Sequence, residues 1–123
     1  MEMPKPDQSV IARRRDIAAA LSRIVPGEGV IVDKDALRPY ESDGLTAYRT
    51  LPLIVVLPES TEQVSAVLRY CHENAVKVVP RGAGTSLSGG ALPLADGIIL
   101  GLGKFKRILD IDYPNRCAVV QPG

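Results

Sequence analysis

Aromatic residues are scarce in this sequence, which has one phenylalanine, four tyrosines and no tryptophan among its 123 residues. A folded core must therefore be built from valine, isoleucine, leucine and alanine. The hydrophobic content of 46% is ordinary for a globular protein, so it argues against disorder. A chain of this length makes one small domain, which is short for an enzyme with separate cofactor and substrate domains.

Cysteines and long apolar runs are also few. Cys71 and Cys117 cannot make a disulfide framework and do not have the CxxC spacing of zinc or redox sites. We therefore expect no metal site, and two buried thiols in a reducing, cytoplasmic compartment. The longest apolar run, residues 51–57, contains Pro52 and is too short to cross a bilayer, and the N-terminus does not have the pattern of a signal peptide.

An excess of charge of either sign is missing as well. The formal net charge is +1, which gives no long-range attraction to nucleic acid. The three arginines at positions 13–15 are interpreted as a solvated helix face. Nucleic acid is therefore not an expected partner.

The sequence does have a glycine-rich stretch, residues 79–90, directly after a short aliphatic run. Glycines allow sharp bends and close approach of another molecule, and consecutive N–H groups in such a turn can converge on one anion. Thr85, Ser86 and Ser88 add small hydroxyl donors, and Arg81 adds a charged fork. The composition fits either a phosphate-binding loop or an ordinary surface loop rich in glycine and serine.

Two familiar phosphate motifs do not fit this stretch. A P-loop needs lysine and then serine or threonine after its last glycine, but Gly89 is followed by Gly90 and Ala91. A Rossmann fingerprint needs a third glycine where Leu87 stands and a helix after it, whereas the two glycines and Pro93 disfavour a helix there.

Hydrophobic periodicity predicts an α/β fold. We expect a helix over residues 7–25, capped by Asp7, with the charged head of Arg14 extended to water. Residues 53–57 are predicted to be a strand buried on both faces, followed by a helix that opens with a capping box of Ser60 and Gln63.

A strand at residues 76–79 completes a βαβ unit with parallel strands. The glycine-rich stretch then leaves the carboxyl end of a parallel strand, where open α/β sheets bind their ligands. Further strands are predicted at residues 97–102, 106–111 and 117–121, the last two forming a hairpin.

Candidate catalytic groups are few. Glu41 and Asp43 form a carboxylate pair in a predicted loop, but no histidine or metal-ligand set accompanies them, so we interpret the pair as structural. His72 borders the apolar stripe of the second long helix near its C-terminus, where an imidazole interacts favourably with the helix dipole. The sequence therefore predicts no catalytic residue.

The glycine-rich stretch carries a family resemblance. Residues 80–86 followed by Gly89 and Gly90 resemble the pyrophosphate loop of the vanillyl-alcohol oxidase, or PCMH-type, FAD-binding family. Residues 40–44, 48–50, 55–58 and 120–123 are similar, more specifically, to the FAD-linked 2-hydroxy-acid oxidoreductases, a group that includes bacterial glycolate oxidase and D-lactate dehydrogenase. The resemblance covers nearly the whole chain after its first residues.

The resemblance implies a domain layout and a binding site. Residues 51–123 would be the first subdomain of a PCMH-type FAD-binding domain, after a mobile tail at residues 1–6 and a helix and loop region at residues 7–50. The second FAD subdomain and the substrate or cap domain would lie outside this chain. FAD is expected to bind noncovalently, because Thr85 and Ser86 stand where covalent members often place histidine. The implied cofactor-binding residues are Pro80, Arg81, Gly82, Ala83, Gly84, Thr85, Ser86, Gly89, Gly90, Pro122 and Gly123.

The resemblance also implies an activity for the complete protein: hydride transfer from the α-carbon of a small 2-hydroxy acid to flavin N5. Its partners would be other oxidase subunits or an electron acceptor, and its location the cytoplasm, or the inner membrane through partner subunits. This chain alone is not expected to be active. Two alternatives stay open: a non-catalytic half-domain that binds another chain or itself through an exposed edge or apolar face, and a phosphate or nucleotide module unrelated to flavin.

Overall fold

The computed structural model describes residues 3–123. The helices are α1 (Gln8–Ala12), α2 (Arg14–Ile24), α3 (Lys34–Leu37), a short 3-10 turn (Arg38–Tyr40) and α4 (Thr61–Glu73). The strands are β1 (Val30–Ile31), β2 (Ile54–Val56), β3 (Lys77–Arg81), β4 (Gly97–Gly101), β5 (Ile108–Asp112) and β6 (Cys117–Val120). The predicted α/β class is confirmed. The predicted mobile tail, residues 1–6, falls partly outside the described residues.

Two helices replace the single one predicted over residues 7–25. Asp7 is the N-cap, as expected, and its carboxylate accepts a hydrogen bond from the N–H of Ser9 at 2.8 Å. The backbone leaves helical geometry at Arg13 (φ −87°, ψ 9°), whose guanidinium donates to the carbonyl of Asn74 at 3.0 Å. The interruption between α1 and α2 thus coincides with a contact to the end of α4. Local hydrophobic periodicity cannot predict such a contact.

Arg14 does not extend its head to water, so that expectation is wrong. Its guanidinium donates to the carbonyl of Leu53 at 2.9 Å and also to the carbonyl of Val32. These acceptors precede β2 and follow β1, so Arg14 ties α2 to the sheet. One planar guanidinium can donate to both carbonyls at once, so it holds the helix in position against the two strand ends.

A four-stranded sheet with the order β1-β2-β4-β3 forms the centre of the fold. β2, β4 and β3 are parallel, with Val55 opposite Ile99 and Val79 opposite Ile99 on the other side, and β1 runs antiparallel to β2. The predicted βαβ unit is present as β2-α4-β3, and β4 lies between its two strands. Pro80 is tolerated because β3 is an edge strand, where one missing N–H costs no ladder bond on the open side.

Both faces of the sheet are covered. Ile54 and Ile98 pack with residues of the N-terminal helices and α4, whereas Val55 and Ile99 pack with Leu37 of α3. This alternation is the period of two expected for strands, and β2 and β4 are buried along their whole length. The strand predicted to be buried on both faces is confirmed.

The last two strands form the predicted hairpin, which is a separate two-stranded antiparallel sheet. Its turn is closed by Asn115, whose backbone N–H and side-chain amide donate to the carboxylate of Asp112 at 3.1 and 2.7 Å. Cys117 lies in this hairpin and is exposed, so the expectation of two buried thiols holds only for Cys71. Within residues 3–123, no helix is long and apolar enough to cross a membrane.

Candidate binding site at the glycine loop

The glycine loop, residues 82–90, begins directly after β3, at the carboxyl end of a parallel strand, as predicted. Gly84 and Gly89 have φ values of +74° and +81°, in the left-handed region that glycine adopts without strain. The neighbouring carboxyl end of β4 leads into residues 102–105, and the N–H of Leu102 donates to the carbonyl of Arg81 at 2.8 Å. The loop therefore starts from a fixed point of the sheet.

The backbone N–H groups at positions 82–87 donate to no acceptor within the described part of the chain. The loop instead closes through Ser86, whose hydroxyl oxygen accepts from the N–H of Gly90 at 3.2 Å and from that of Ser88 at 3.4 Å. Thr85 is exposed and adds a second hydroxyl beside these groups. A turn whose N–H groups stay available in this way forms a concave site for an anion.

Arg81 was expected to offer its charged fork to a bound anion, and the structure gives it internal partners. Its guanidinium donates to the carbonyl of Tyr40 at 3.0 Å and to the carbonyl of Ser42, and it lies 5.7 Å from the centre of the Tyr40 ring. A Cβ atom added to Gly84 would lie 2.7 Å from two of its nitrogens. The guanidinium therefore lies against the glycine loop, and its N–H groups donate to the backbone of residues 40 and 42.

Pro122 and Gly123, also predicted as binding residues, lie beside the start of the loop. A Cβ atom added to Gly82 would be 3.8 Å from the Pro122 carbonyl oxygen. The N–H of Gly123 donates to the carbonyl of Phe105 at 2.7 Å, and a Cβ atom there would be 2.2 Å from the Leu102 carbonyl oxygen. Only glycine fits at position 123, so this close approach explains why the sequence has glycine there.

An apolar groove of about 360 Å³ opens next to Pro122. It lies between the start of α4, residues 102–105 and the hairpin. Its walls are formed by Thr61, Val64, Leu102, Phe105, Leu109, Val120, Gln121 and Pro122. The carboxyl side of the sheet thus places polar N–H groups and a mainly apolar groove close together, which is the usual make-up of a site for a small organic ligand.

Sequence reasoning missed the contribution of residues 40–45. Asp43 is only 6% exposed, and its two oxygens accept from the N–H groups of Leu45 at 2.9 Å and Ala91 at 3.4 Å. Glu41 instead pairs with Arg49 at 3.4 Å near the surface. These contacts agree with the structural interpretation of the two carboxylates. The sequence predicted a loop here, but not the contact of Asp43 with position 91, 48 residues away.

Comparisons with known proteins agree with this geometry. The family described as "FAD binding domain" matches residues 52–123. The glycolate oxidase subunit GlcD of Escherichia coli K12 is 54% identical over 110 residues, which cover 89% of this chain and 22% of that protein. The D-lactate dehydrogenase of Archaeoglobus fulgidus is 40% identical over 104 residues, covering 84% of this chain and 23% of that protein. The chain thus spans less than a quarter of the length of these relatives.

A similarity in fold extends to solved structures. The crystal structure of p-cresol methylhydroxylase with substrate bound matches with a TM-score of 0.77 and 27% sequence identity. The match covers 98% of this chain and 24% of that one. The arrangement of strands and loops described above is therefore one that recurs among larger proteins.

Proposed function

We propose, since the chain belongs to the FAD binding domain family, that its glycine loop binds the diphosphate of FAD in a flavin-dependent 2-hydroxy-acid oxidoreductase. FAD is the cofactor of this family. The observation that carries the assignment to the loop is the run of N–H groups at positions 82–87 without an acceptor in residues 3–123, at the carboxyl end of β3. We assign residues 51–123 to the first FAD-binding subdomain and residues 7–50 to its N-terminal helix and loop region.

The space around two glycines of the loop fits a diphosphate. A diphosphate needs several donors and a backbone that no side chain shields. A Cβ atom added to Gly82 would meet nothing nearer than 3.8 Å, and one added to Gly90 nothing nearer than 3.5 Å. These glycines are not required by internal crowding, which supports a role in leaving room for a ligand.

Each predicted residue then has a task in holding the cofactor. The N–H groups of positions 82–87 and the hydroxyls of Thr85 and Ser86 would donate to the diphosphate, and Arg81 would add positive charge beside the loop. Gly89 and Gly90 turn the chain back, Pro80 marks the end of β3, and Pro122 and Gly123 border the site at Gly82. The redox chemistry, acceptance of a hydride from the substrate α-carbon at flavin N5, would be supplied by bound FAD. We assign no catalytic residue to this chain.

Noncovalent binding is part of the proposal. The single histidine of the chain, His72, lies at the exposed end of α4, and the loop itself offers only Thr85, Ser86 and Ser88 as polar side chains. None of these three loop side chains is a usual attachment point for flavin. Denaturation should therefore release the flavin unchanged.

The substrate and partners are proposed from the relatives. Glycolate and D-lactate, which appear in the names of two relatives, are both small 2-hydroxy acids. One of these relatives is named a subunit, which supports an assembly with other oxidase subunits. We propose a cytoplasmic protein that passes electrons to an acceptor and reaches the inner membrane through such subunits.

A visible absorbance spectrum of the purified chain tests FAD binding. The chain is mixed with FAD, freed of excess ligand, and the flavin released on denaturation is counted per chain. About one flavin per chain supports the proposal, and a folded chain that retains none contradicts FAD binding by this chain. ATP and inorganic phosphate serve as competitors, since affinities for them equal to that for FAD would favour a general nucleotide or phosphate module.

Gly84→Val tests the loop directly. Valine there meets the guanidinium of Arg81 and must adopt a φ near +74°, so the loop cannot keep its shape. Gly103→Val is the matched control, because Gly103 has open space around a Cβ atom and no left-handed φ. Flavin should be lost from the first variant and kept by the second. Equal flavin content in both folded variants would contradict the assignment of this loop.

A second candidate function, association with another copy of the chain, is favoured by the hairpin. Its apolar side chains are 48–79% exposed. They are Ile108, Leu109, Ile111, Tyr113, Val119 and Val120. Apolar patches of this kind associate readily.

Sedimentation over a wide concentration range tests this candidate. Val119→Lys should keep the hairpin, because position 119 lies opposite Asp110 in register and opposite charges stabilise such pairs. It should also lower the tendency to associate, since it places a charge in the apolar patch. A wild-type chain that stays monomeric throughout the concentration range contradicts self-association.

A further inference from the structure

Residues 40–45, here called the brace segment, contact the chain directly before the glycine loop, in the middle of the loop and directly after it. The segment follows α3 and lies in sequence about 40 residues before the loop. It carries no group that the proposed binding of FAD has used so far. Its contacts are with the backbone that carries the available N–H groups, so it can determine where those groups lie.

At the start of the loop the link is Arg81. Its guanidinium spans two carbonyls of the brace segment, those of Tyr40 and Ser42, and lies over the Tyr40 ring. A planar fork that donates in two directions holds both position and orientation. The first turn of the loop is therefore held over the brace segment.

In the middle of the loop the link is steric. A Cβ atom added to Gly44 would lie 2.8 Å from the carbonyl oxygen of Ser86 and 2.9 Å from that of Thr85. Backbone packs directly on backbone here, which is possible only because position 44 has no side chain. The contact is made on the carbonyl side of the two peptide groups, so their N–H groups remain available.

At the end of the loop the link is Asp43. Its buried carboxylate accepts from Ala91 with one oxygen and from Leu45 with the other, so it fixes its own turn and the return of the glycine loop together. A carboxylate has an acceptor for each N–H, whereas an amide has only one acceptor oxygen. The bond from Leu45 is 2.9 Å long and the one from Ala91 is 3.4 Å, so the turn of the segment is held more tightly than the end of the loop.

We propose that the brace segment is the positioning element of the diphosphate site, with Asp43 and Gly44 as its decisive residues; this inference rests on the proposed binding of FAD by the glycine loop. The loop's N–H groups at positions 82–87 are kept for a ligand, and the internal bonds to the Ser86 hydroxyl close only the second half of the loop, so its first half depends on contacts from outside. The brace segment supplies that shape before the ligand arrives. Binding is then tighter because less ordering is needed at the moment of binding.

Two substitutions separate this role from general stability. Asp43→Asn leaves the N–H of either Leu45 or Ala91 facing an amide NH2, so one of the two hydrogen bonds is lost. Gly44→Ala changes no charge and no hydrogen bond but pushes on the Thr85 and Ser86 carbonyls. Gly103→Ala is the control, an added methyl group in open space.

The measurements are the dissociation constant for FAD, from flavin fluorescence, and the backbone amide NMR spectrum of the ligand-free chain. In both brace variants the amide resonances of residues 82–91 should shift or broaden, while those of β2 and β4 stay in place. If the binding-competent loop falls to about a tenth of the population, affinity for FAD drops about tenfold. The control should stay within about twofold of the wild type on that same scale.

The outcomes are distinct. Unchanged loop resonances and an unchanged dissociation constant in both variants would overturn the inference. Resonances that change across the whole sheet would also overturn it, since the segment would then act on the fold in general. If the wild-type chain binds no FAD, the proposed function fails, and the ligand-free spectra alone decide: loop resonances that move only in the brace variants support positioning, and unmoved ones overturn it.

Discussion

The central sheet and the hairpin carry similar side chains in opposite surroundings. Every residue of β2 and β4 is buried, whereas β5 and β6, which are also rich in valine and isoleucine, are exposed at all positions but Asp112. The sheet has α2 and α4 on one face and α3 on the other, and the apolar side chains of the hairpin stay open to solvent. Burial of an apolar strand is thus decided by the layers that cover it and not by its own composition.

The candidate site lies where these two regions meet. The glycine loop starts from β3, whose last residue, Arg81, accepts a hydrogen bond from Leu102 at the end of β4. Residues 40–45 also contact the loop, so its position is fixed by the rigid sheet. The apolar groove beside Pro122 takes Leu109 and Val120 from the hairpin. We infer that the well-packed central sheet positions the part of the chain that holds the diphosphate of the cofactor. The shape of the apolar groove depends on the solvent-exposed hairpin.

The largest effect that sharpens this comparison comes from truncating one isoleucine in each region. Ile98 in β4 is 0% exposed and Ile111 in β5 is 48% exposed. Ile98→Ala should lower the free energy of unfolding by about 2–5 kcal/mol, because it leaves a cavity between the sheet and its helices. Ile111→Ala should change it by no more than about 0.5 kcal/mol. Urea denaturation measures both, and equal losses would show that the hairpin is part of the same cooperative core.

A smaller effect is expected at the buried carboxylate of Asp96, on the sheet side. It is 2% exposed and accepts from the Lys77 ammonium at 2.7 Å and from the backbone N–H of Asp7 at 2.8 Å. Burial disfavours the charged carboxylate, but these hydrogen bonds together outweigh that effect, so the pKa of Asp96 lies below its ordinary value of 3.8. Asp96→Asn should cost about 1–3 kcal/mol at neutral pH, since it weakens two charge-assisted bonds.

The pH dependence of that effect follows from the direction of the shift. A carboxyl whose pKa is lower in the folded chain contributes stability above its unfolded pKa and loses it as the pH falls through the folded value. The wild type should therefore lose this contribution below about pH 4, and the Asn variant should not. Asp112→Asn is the control in the hairpin: its pKa is also lowered, first by the hydrogen bond from the Asn115 side chain, but it is only partly buried, in a strand otherwise open to solvent. If Asp96→Asn and Asp112→Asn shift the acid unfolding curve equally, the expected difference between the sheet and the hairpin is contradicted.

Local patterns were enough to predict much of the sheet and the place of the loop. Alternating and continuous apolar runs located β2, α4 and β3, and the βαβ order put the glycine loop at a carboxyl strand end. What these patterns did not predict are contacts between residues far apart in sequence. Arg14 bonds to position 53, Arg81 turns toward positions 40 and 42, and Asp43 reaches position 91. No local periodicity encodes such partners, because they depend on how finished elements pack.

The exposure of Cys117 was missed for a related reason. Its valine-rich strand has the composition of a buried one, and only the absence of a covering layer over the hairpin in residues 3–123 makes it accessible. Cys71, on α4, is buried among the side chains that cover the sheet. The accessibility of Cys71 therefore reports on the central sheet, and that of Cys117 on the hairpin.

Thiol reactivity gives the smallest but sharpest test of the comparison. Burial raises the pKa of Cys71 to about 11, so at pH 8 almost none of it is thiolate, the form that attacks a disulfide reagent. One thiol per native chain, that of Cys117, should react rapidly with an aromatic disulfide, and the second should react only at the rate of unfolding. Cys117→Ser should abolish the rapid phase and leave the slow one.

The concentration dependence of the rapid phase then connects the hairpin to its environment. If copies of the chain associate through the hairpin, the reaction of Cys117 should slow as protein concentration rises, while that of Cys71 stays constant. Val119→Lys should remove this slowing, because it acts on the apolar patch and leaves Cys117 in place. Two rapid thiols in the native chain would show that α4 does not cover Cys71, and the contrast between a closed sheet and an open hairpin would then be wrong.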